Sequence, residues 1–471
     1  MISLLWLLIV VVIAAGTPQR LHDEPAFPEP PAGTIQARKP VDLPAWYWDL
    51  MVEGYLAHGH RDARWDAAAT NALGLFSALR ADQLPANDPR GLTITNFTAE
   101  ALEQGCTDPL IQYLHWRRGG PKTAGTADIL QVADALGDSG YSPVLKSYAY
   151  LRAFDTLYPR PSTNRVPSNA VRARNAAITQ FQTALETTDL PGKEVLELGR
   201  HVCDLLWATN LVARFWPPME QALGARYSDV AEAQLLLGEE GIELAWKARG
   251  SGLADTVSDE GWRVFDEQLR KADTALRRAW QLDPTLPQVP YNLIRVSLGL
   301  GHPRKEMERW FSRAQALSSG WYDLYWAKGQ YLMPKWHGSR AEVLAFGRQC
   351  LTDPNAFGRT RLILMEFHKE LEGFTRERDP ETGRWSRQAN LEYYRNRQVW
   401  NDIRSSFEAY FRDVPDDTSW HHNYALYAWR AQDWKTLNSE IPKLGPINYK
   451  YFGGQEAFDQ ILADAKAHAG Q

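Results

Sequence analysis

The segment Lys335-Trp336-His337 places an amine, an indole and an imidazole in consecutive positions, and all three groups can bind a ligand. The indole of Trp336 offers a face for stacking on a sugar or aromatic ring, and it also attracts cations. Lys335 and a protonated His337 could pair with an anion. The three residues are therefore a candidate binding site for an anionic or sugar-like ligand.

The residues around this segment also have a structural interpretation. Pro334 and Gly338 flank it and favour a turn. Ser339 and Glu342 have the spacing of a capping box, in which the two side chains satisfy the first free amides of a helix. We favour the structural interpretation of the loop and keep a ligand site as the alternative.

An aromatic cluster precedes the loop, and it also has two interpretations. On a helix, Tyr322, Tyr325 and Trp326 share one face and would pack on a neighbouring helix. The alternative is a groove lined by aromatic rings that recognises a peptide or a glycan. The candidate binding residues are therefore Trp321, Tyr325, Trp326, Lys335, Trp336 and His337.

Other residue patterns predict no catalytic, cofactor-binding or metal-binding residues. The histidines near Phe367-His368-Lys369-Glu370 and His421-His422 lack the His-Glu-x-x-His spacing of a helical zinc site. The sequence contains neither a Gly-x-Ser-x-Gly nucleophile turn nor a Gly-x-x-x-x-Gly-Lys-Ser/Thr phosphate loop. We therefore expect a protein that is not an enzyme.

A repeated helical pattern must position these residues. Leu282, Leu317 and Leu351 are 35 and 34 residues apart, and each ends a stretch that reads as a helical hairpin. Two sets of residues occupy matching places before the first two leucines, namely Ala272, Leu276 and Ala279 in the first stretch and Met307, Phe311 and Ala314 in the second. The steps of four and three residues put each set on one helical face.

This pattern resembles the tetratricopeptide repeat (TPR), a helical hairpin that stacks into a solenoid. Tyr291 and Trp326, 35 residues apart, stand where that repeat opens with an aromatic residue. The resemblance covers roughly residues 262–354 and, more weakly, 400–445. Arg295 and Met307 depart from it, because glycine and alanine are usual there. The resemblance implies an all-α chain, a TPR-like α-solenoid of stacked helical hairpins that binds other proteins.

Two short motifs are similar to an uncharacterised bacterial family with TPR-like domains. Those proteins carry a Pro-Lys/Arg-Trp-Gly-Gly-Ser loop before an alanine-phenylalanine helix. Here the loop reads Pro334-Lys-Trp-His-Gly-Ser339 before Ala345-Phe346, so that His337 replaces the first glycine. Residues 105–114 also look like that family. The resemblance implies no particular activity or cofactor.

Composition limits the classes of partner. The formal net charge is −5 and the isoelectric point about 6.2. Nonspecific nucleic-acid binding needs a basic face, so we expect no nucleic-acid partner. Cys106, Cys203 and Cys350 are too few for a disulfide framework and have no metal-ligand spacing, so we expect three buried side chains.

The N-terminal region predicts export. Residues 2–15 are almost wholly apolar, and as a helix they would span about 21 Å, less than a bilayer core of ~30 Å. This length suits a signal peptide, and Ala14-Ala15-Gly16 suits cleavage. However, no Lys or Arg precedes the run, and Trp6 would suit an interfacial anchor. We expect residues 1–16 to be a signal peptide or a short membrane anchor. The protein would then be periplasmic, extracellular or anchored in a bacterial inner membrane.

The rest of the chain divides into three further regions. Seven prolines predict an extended linker over residues 17–44. Residues 45–158 form an N-terminal helical region, in which Asp108 and Pro109 start one helix. After a loop at 159–168, residues 169–471 form the TPR-like repeat region, with an inserted loop near 373–386. Within this region we expect Trp216-Pro217-Pro218 to break a helix.

Taken together, these features predict a non-enzymatic helical-repeat scaffold at the cell envelope that mediates protein–protein interaction. A protein or peptide segment is the expected partner, and membrane contact is expected only through an uncleaved N-terminal segment. The alternative is an envelope enzyme or glycan-binding protein that uses the Trp336–Ser339 loop. A purely intracellular scaffold would require a misassigned start codon.

Overall fold

The computed structural model describes residues 37–85, 87–119, 128–159, 166–252, 254–376 and 389–469. These residues form helices and connecting turns without a β-strand, which confirms the predicted all-α class. The predicted signal or anchor segment, most of the proline-rich linker and most of the inserted loop lie outside the described residues. No helix of the described part is both long enough and apolar enough to cross a membrane.

The described chain forms two compact units. The first unit comprises residues 37–240 with 281–283, and the second comprises 241–280 with 284–469. The helices that begin in the first unit are α1 (Leu43–Trp48), α2 (Gly54–His58), α3 (Asp66–Arg80), α4 (Arg90–Glu103), α5 (Pro109–Arg117), α6 (Ile129–Gly137), α7 (Pro143–Leu157), α8 (Ser168–Thr187), α9 (Gly192–Ala208), α10 (Val212–Arg226) and α11 (Ala231–Arg249). The helices that begin in the second unit are α12 (Asp259–Leu282), α13 (Gln288–Leu300), α14 (Arg304–Leu317), α15 (Tyr322–Leu332), α16 (Arg340–Gln349), α17 (Ile363–Gly373), α18 (Leu391–Arg395), α19 (Arg397–Asp413), α20 (Ser419–Ala431), α21 (Trp434–Glu440) and α22 (Gln455–Ala467).

In the first unit each helix from α3 to α8 packs on the next one in the chain. The predicted start of α5 is confirmed, because the Asp108 side chain accepts hydrogen bonds from the amides of Leu110 and Ile111, and Pro109 takes the first helical position. A buried carboxylate on α9 connects α1 and α7 in the core of the unit. Glu194 of α9 accepts hydrogen bonds from the hydroxyls of Tyr47 and Tyr148.

The predicted break at Trp216–Pro218 is wrong, because α10 continues through both prolines. Proline has no amide hydrogen, so the helical bonds from Pro217 to the Ala213 carbonyl and from Pro218 to the Arg214 carbonyl cannot form. Packing of α10 on α8 and α9 nevertheless holds the helix together. Packing by neighbouring helices routinely overrides a local preference of this kind.

In the second unit α13 and α14 pack together, and α15 packs on both of them as well as on α16 and α17. The turn between α13 and α14 is short, comprising Gly301, His302 and Pro303. Gly301 has a φ of 66°, a left-handed conformation that glycine adopts without strain. The connection between α15 and α16 is longer, because it contains the seven residues 333–339.

The buried face of α13 recurs in α15 at a spacing of 35 residues. The buried residues of α13 are Val289, Pro290, Asn292, Leu293, Ile294, Val296 and Ser297. Those of α15 are Leu324, Tyr325, Ala327, Lys328, Gly329, Tyr331 and Leu332. Every buried position of the first helix has a buried counterpart 35 residues later, although the residue types differ widely.

The second helices of these hairpins follow the same pattern with one extra residue. Met307, Phe311 and Ala314 are buried in α14, as predicted for one face. Their buried counterparts in and just after α16 lie 36 residues later, at Val343, Gly347 and Cys350. The connection before α16 is four residues longer than the turn before α14, and α15 is two residues shorter than α13, so the second helices of the two hairpins are not in the same register as the first helices.

The three leucines that indicate the period do not have equivalent surroundings. Leu282 and Leu317 are the last residues of α12 and α14, whereas Leu351 lies two residues beyond α16. Leu282 is 7% exposed and Leu317 is 40% exposed. The repeated feature is therefore the buried helical face, and the leucine at its end is not part of it.

Candidate functional site

The first aromatic candidates pack within the second unit. The ring of Trp321 lies 4.6 Å from the ring of Tyr291, measured between centroids. Tyr325 is fully buried, and its ring stacks on Phe346. Its hydroxyl oxygen lies 2.8 Å from the amide nitrogen of Gln315. Tyr325 therefore belongs to the core between hairpins and is not available as a surface contact.

Trp326 has the position predicted for a packing residue. Its ring lies between Tyr322 on the same helix and Phe367 of α17, with centroid distances of 6.4 and 6.0 Å. Trp326 is half-buried, so part of its side chain faces solvent. Of the three candidate binding residues in the aromatic cluster, Trp321 and Trp326 keep exposed surface that a ligand could contact, and Tyr325 does not.

Lys335 is directed towards the protein. The residue is only 8% exposed, and its ammonium lies 3.2 Å from the carboxylate of Glu370. The ring of Phe374 lies within 5.9 Å of the same ammonium. An anion would have to displace Glu370 before it could pair with this lysine.

His337 connects the two hairpins. Its Nε2 donates a hydrogen bond to the backbone carbonyl of Leu298 in α13, with an N···O distance of 2.7 Å. The Tyr331 hydroxyl of α15 donates a second bond back to the carbonyl of His302, at 2.6 Å. Both bonds therefore run from donors of the α15–α16 hairpin to acceptors of the α13–α14 hairpin. Burial lowers the pKa of His302 to about 4.

The Ser339 half of the capping box predicted at the end of this loop is confirmed, whereas the Glu342 carboxylate accepts from the Ser339 hydroxyl and not from its backbone amide. The Ser339 hydroxyl accepts a hydrogen bond from the Glu342 amide and donates one to the Glu342 carboxylate. In this loop Ser339 therefore caps α16, and His337 connects the loop to α13. These are structural contacts, and they involve the same residues that the sequence indicates as a ligand site.

Trp336 belongs to a cage of three indoles around one guanidinium. The carbon Cζ of Arg249 lies 5.9, 5.5 and 5.9 Å from the ring centroids of Trp246, Trp262 and Trp336. The Trp246 and Trp336 rings meet edge to face at 5.6 Å. Such contacts are electrostatically favourable for a cation. Trp246, Trp262 and Arg249 are residues that the sequence analysis missed.

The charge of Arg249 is held by the backbone at the end of its own helix. Its Nη1 donates to the carbonyls of Gly250 and Gly252, both at 3.1 Å. These carbonyls follow the C-terminus of α11, where a cation is favoured. Burial lowers the pKa of Arg249. Two buried donors of the cage, Arg249 Nε and Trp246 Nε1, have no acceptor among the described residues.

The sequence indicates only one of the contacts in this cage, the one between Trp246 and Arg249. Trp246 and Arg249 are three residues apart on α11 and therefore share a face. Trp262 and Trp336 come from distant segments, and nothing in their spacing connects them to Arg249. Long-range contacts of this kind cannot be read from one sequence.

The first unit contains an open groove of about 350 Å³ between α8 and α10. The groove is lined by Gln182, Leu185, Glu186, Arg214, Phe215, Pro218, Met219 and Ala222. Arg226 donates a hydrogen bond to the Leu185 carbonyl, and the Tyr227 hydroxyl donates to Thr188 at 2.7 Å. These bonds join the C-terminal ends of α8 and α10, so the two helices run in the same direction.

The groove has an apolar floor and charged ends. Leu185 and Met219 are buried beneath it, while Arg214 and Glu186 are exposed on its rim. The Arg214 guanidinium lies over the ring of Phe215, 4.9 Å from its centroid. The sequence does not indicate this groove, because Pro217 and Pro218 predict a break in the helix that forms one of its walls.

The buried histidine His368 has the contacts of a catalytic group but lacks access to a substrate. Its Nδ1 lies 2.9 Å from the Tyr393 hydroxyl, and its Nε2 lies 3.0 Å from the Asp402 carboxylate. Arg348 holds the same carboxylate through two hydrogen bonds. Burial lowers the pKa of His368, and the residue is 1% exposed. This network connects α16, α17 and α19 and is a core contact.

Among the described residues, no group of three or more His, Cys, Asp or Glu side chains could hold a metal ion. The three cysteines are buried and free, as predicted. The chain matches no model of a known protein family, and no curated protein is similar to it.

Proposed function

We propose that this protein is a TPR-like α-solenoid that binds a segment of another protein and acts as a scaffold. The observation that carries the proposal is the recurrence of the seven buried positions of α13 in α15, 35 residues later. This spacing is typical of a tetratricopeptide unit. Stacked units of this kind present extended surfaces, on which a partner makes many contacts over a long segment.

The contacts of the candidate loop support a binding role over a catalytic one. A catalytic group must reach its substrate within hydrogen-bond distance. Lys335 and His337 are directed to Glu370 and Leu298, and His368 is enclosed. The exposed aromatic surface of Trp262, Trp321 and Trp326 instead offers the large, rigid contacts that dominate protein interfaces.

We propose the cell envelope as the location. This part of the proposal rests on the apolar run over residues 2–15 and on the proline-rich stretch that follows it. Fractionation of cells that express the full chain with a C-terminal tag tests it. Recovery of the tag in the periplasm or in the inner membrane is the expected result, and a soluble cytoplasmic product of full length contradicts it.

Site-specific crosslinking tests the binding function. A photoreactive amino acid at Trp326 or Trp262 should form one or a few discrete protein adducts in cells, because those side chains would lie in the interface. The same probe at Arg152, an exposed position on α7 in the other unit, is the comparison. An adduct that forms equally at all three positions contradicts the proposal, as does the absence of any protein adduct.

The alternative function, an envelope enzyme or glycan-binding protein that uses the Trp336–Ser339 loop, gives a different result with His337→Ala. If the loop carries chemistry, this variant loses glycan binding or activity while it keeps its fold. If His337 only bridges α13, the variant loses the bond to Leu298 and is destabilised by about 1 kcal/mol. Glycan-array binding and thermal unfolding of the same sample distinguish these outcomes.

A further inference from the structure

We propose that the groove between α8 and α10 binds an extended peptide that carries an acidic residue, two central apolar or aromatic residues and a basic residue, in that spatial order. The acidic residue would pair with Arg214 and the basic one with Glu186. This inference rests on the proposed peptide-binding function, because it names the site and the chemistry of the segment. It concerns the first unit alone, so it can fail while that function stands.

The charges at the two ends of the groove carry the first step. Neither Arg214 nor Glu186 has an ion-pair partner among the described residues. A second cation, Arg174 of α8, is close enough to Arg214 that the two charges repel. Within the described part of the chain, the guanidinium of Arg174 bonds only to the neutral side chain of Asn175, at 3.0 and 3.1 Å. The Arg214 end therefore has excess positive charge that a carboxylate would neutralise.

The length of the α10 wall sets the length of the ligand. Arg214 and Ala222 both line the groove and are eight residues apart on α10. A helix rises 1.5 Å per residue, so this wall of the groove is about 12 Å long. An extended peptide covers that distance in about three to four residues.

The floor between the ends selects the central residues. Leu185, Met219 and Phe215 form an apolar surface there. A volume of about 350 Å³ accommodates about two large side chains. Burial of apolar side chains on this floor supplies affinity, and the two ion pairs fix the direction of the peptide.

Two labelled peptides test the proposal with the full chain. The first probe is acetyl-Asp-Phe-Leu-Ser-Lys-amide, and the second carries Lys in place of the Asp. Because only the first probe can place a carboxylate at Arg214, it should bind at least about fivefold more tightly than the second. Equal affinity for the two probes, or no saturable binding of either up to about 1 mM, overturns the proposal.

Charge reversal in the protein identifies the groove as the site. Arg214→Glu should invert the preference between the probes, because both ends of the groove are then acidic and favour a lysine. Arg152→Glu, which changes an exposed arginine on α7, is the matched control and should leave the preference unchanged. Inversion supports the assignment, and an unchanged preference in the Arg214→Glu variant overturns it.

A steric variant separates this site from the binding function as a whole. Ala222→Trp places an indole in the groove and should abolish probe binding, while circular dichroism and the unfolding midpoint show that the fold is kept. If the folded variant binds the probes as the parent does, the groove is not the site. If it loses the probes but still forms the crosslinked adducts at Trp262 or Trp326, the groove is an additional site and the proposed function stands.

Discussion

The hairpins α13–α14 and α15–α16 bury the same positions with different side chains. Leu293 and Ile294 of the first correspond to Lys328 and Gly329 of the second. At these two positions the first hairpin has aliphatic side chains, whereas the second admits the Phe367 ring against Gly329 and holds the buried Lys328. The comparison shows that a helical repeat is maintained by which positions face inwards, and that each interior is fitted separately.

The largest expected effect concerns Gly329. A Cβ at this position would lie 2.1 and 2.2 Å from atoms of the Phe367 ring, so Gly329→Ala must displace that ring. We expect a loss of about 3 kcal/mol in the free energy of unfolding, measured by urea denaturation. A loss below about 0.5 kcal/mol would show that the ring moves freely.

The matched variant is Ile294→Ala, at the corresponding position of the first hairpin. It should lose a similar amount for the opposite reason, because it leaves a cavity. Addition of Phe367→Leu should reduce the cost of Gly329→Ala and should not reduce the cost of Ile294→Ala. If it relieves both variants equally, the interiors of the two hairpins are not fitted separately.

The next effect concerns His302 in the short turn. Burial lowers its pKa from 6.5 to about 4. The unfolded chain takes up a proton near pH 6.5, whereas the folded chain does so only near pH 4, so stability falls as the pH decreases through this window. Between pH 7 and pH 5 this residue should cost about 2 kcal/mol. His302→Gln should make the unfolding free energy less dependent on pH, and an unchanged pH dependence contradicts the assignment.

A smaller effect concerns the buried ammonium of Lys328. It lies 2.5 Å from the Glu308 carboxylate and within 4.6 Å of the Phe311 and Phe346 ring centroids. Glu308→Gln should cost about 1.5 kcal/mol, less than for a fully buried pair because Glu308 is partly exposed. The variant Lys328→Met has an apolar side chain at this position, as the first hairpin has with Leu293. In that background Glu308→Gln should cost almost nothing. A cost that persists in that background would mean that Glu308 acts through another partner.

The smallest effect concerns the start of the second helix in each hairpin. Ser339 caps α16, whereas α14 begins after Pro303 without a side-chain cap. Ser339→Ala should therefore lower the unfolding midpoint by an amount equivalent to about 1 kcal/mol. Ser319→Ala, at an exposed position between the hairpins, is the control and should have no measurable effect. Equal effects of the two changes would mean that the cap contributes nothing.

The features that the sequence predicts correctly are local. Asp108 and Ser339 start helices because their side chains reach amides two or three residues away. The buried face at Met307, Phe311 and Ala314 follows from helical periodicity alone. For the caps the partner atoms are separated by less than one helical turn, and for the buried face the three positions lie within about two turns of one helix, so a short stretch of sequence contains each signal.

The features that the sequence does not predict depend on packing between distant segments. Pro217 and Pro218 lie inside α10 because neighbouring helices support it. The cage around Arg249 combines three segments, of which the loop at Trp336 is 87 residues away from the arginine. His337 is a candidate ligand-binding residue from the sequence, but in the structure its Nε2 donates a hydrogen bond to the Leu298 carbonyl.

The two hydrogen bonds from the second hairpin to the first have a consequence for how the molecule opens. Tyr331 donates to the carbonyl of His302, and His337 donates to the carbonyl of Leu298. Neither hairpin can separate from the other without breaking both bonds and leaving these two carbonyls without their donors. We therefore expect the amides of α13 and α15 to exchange with deuterium in a single cooperative opening, as one foldon rather than two.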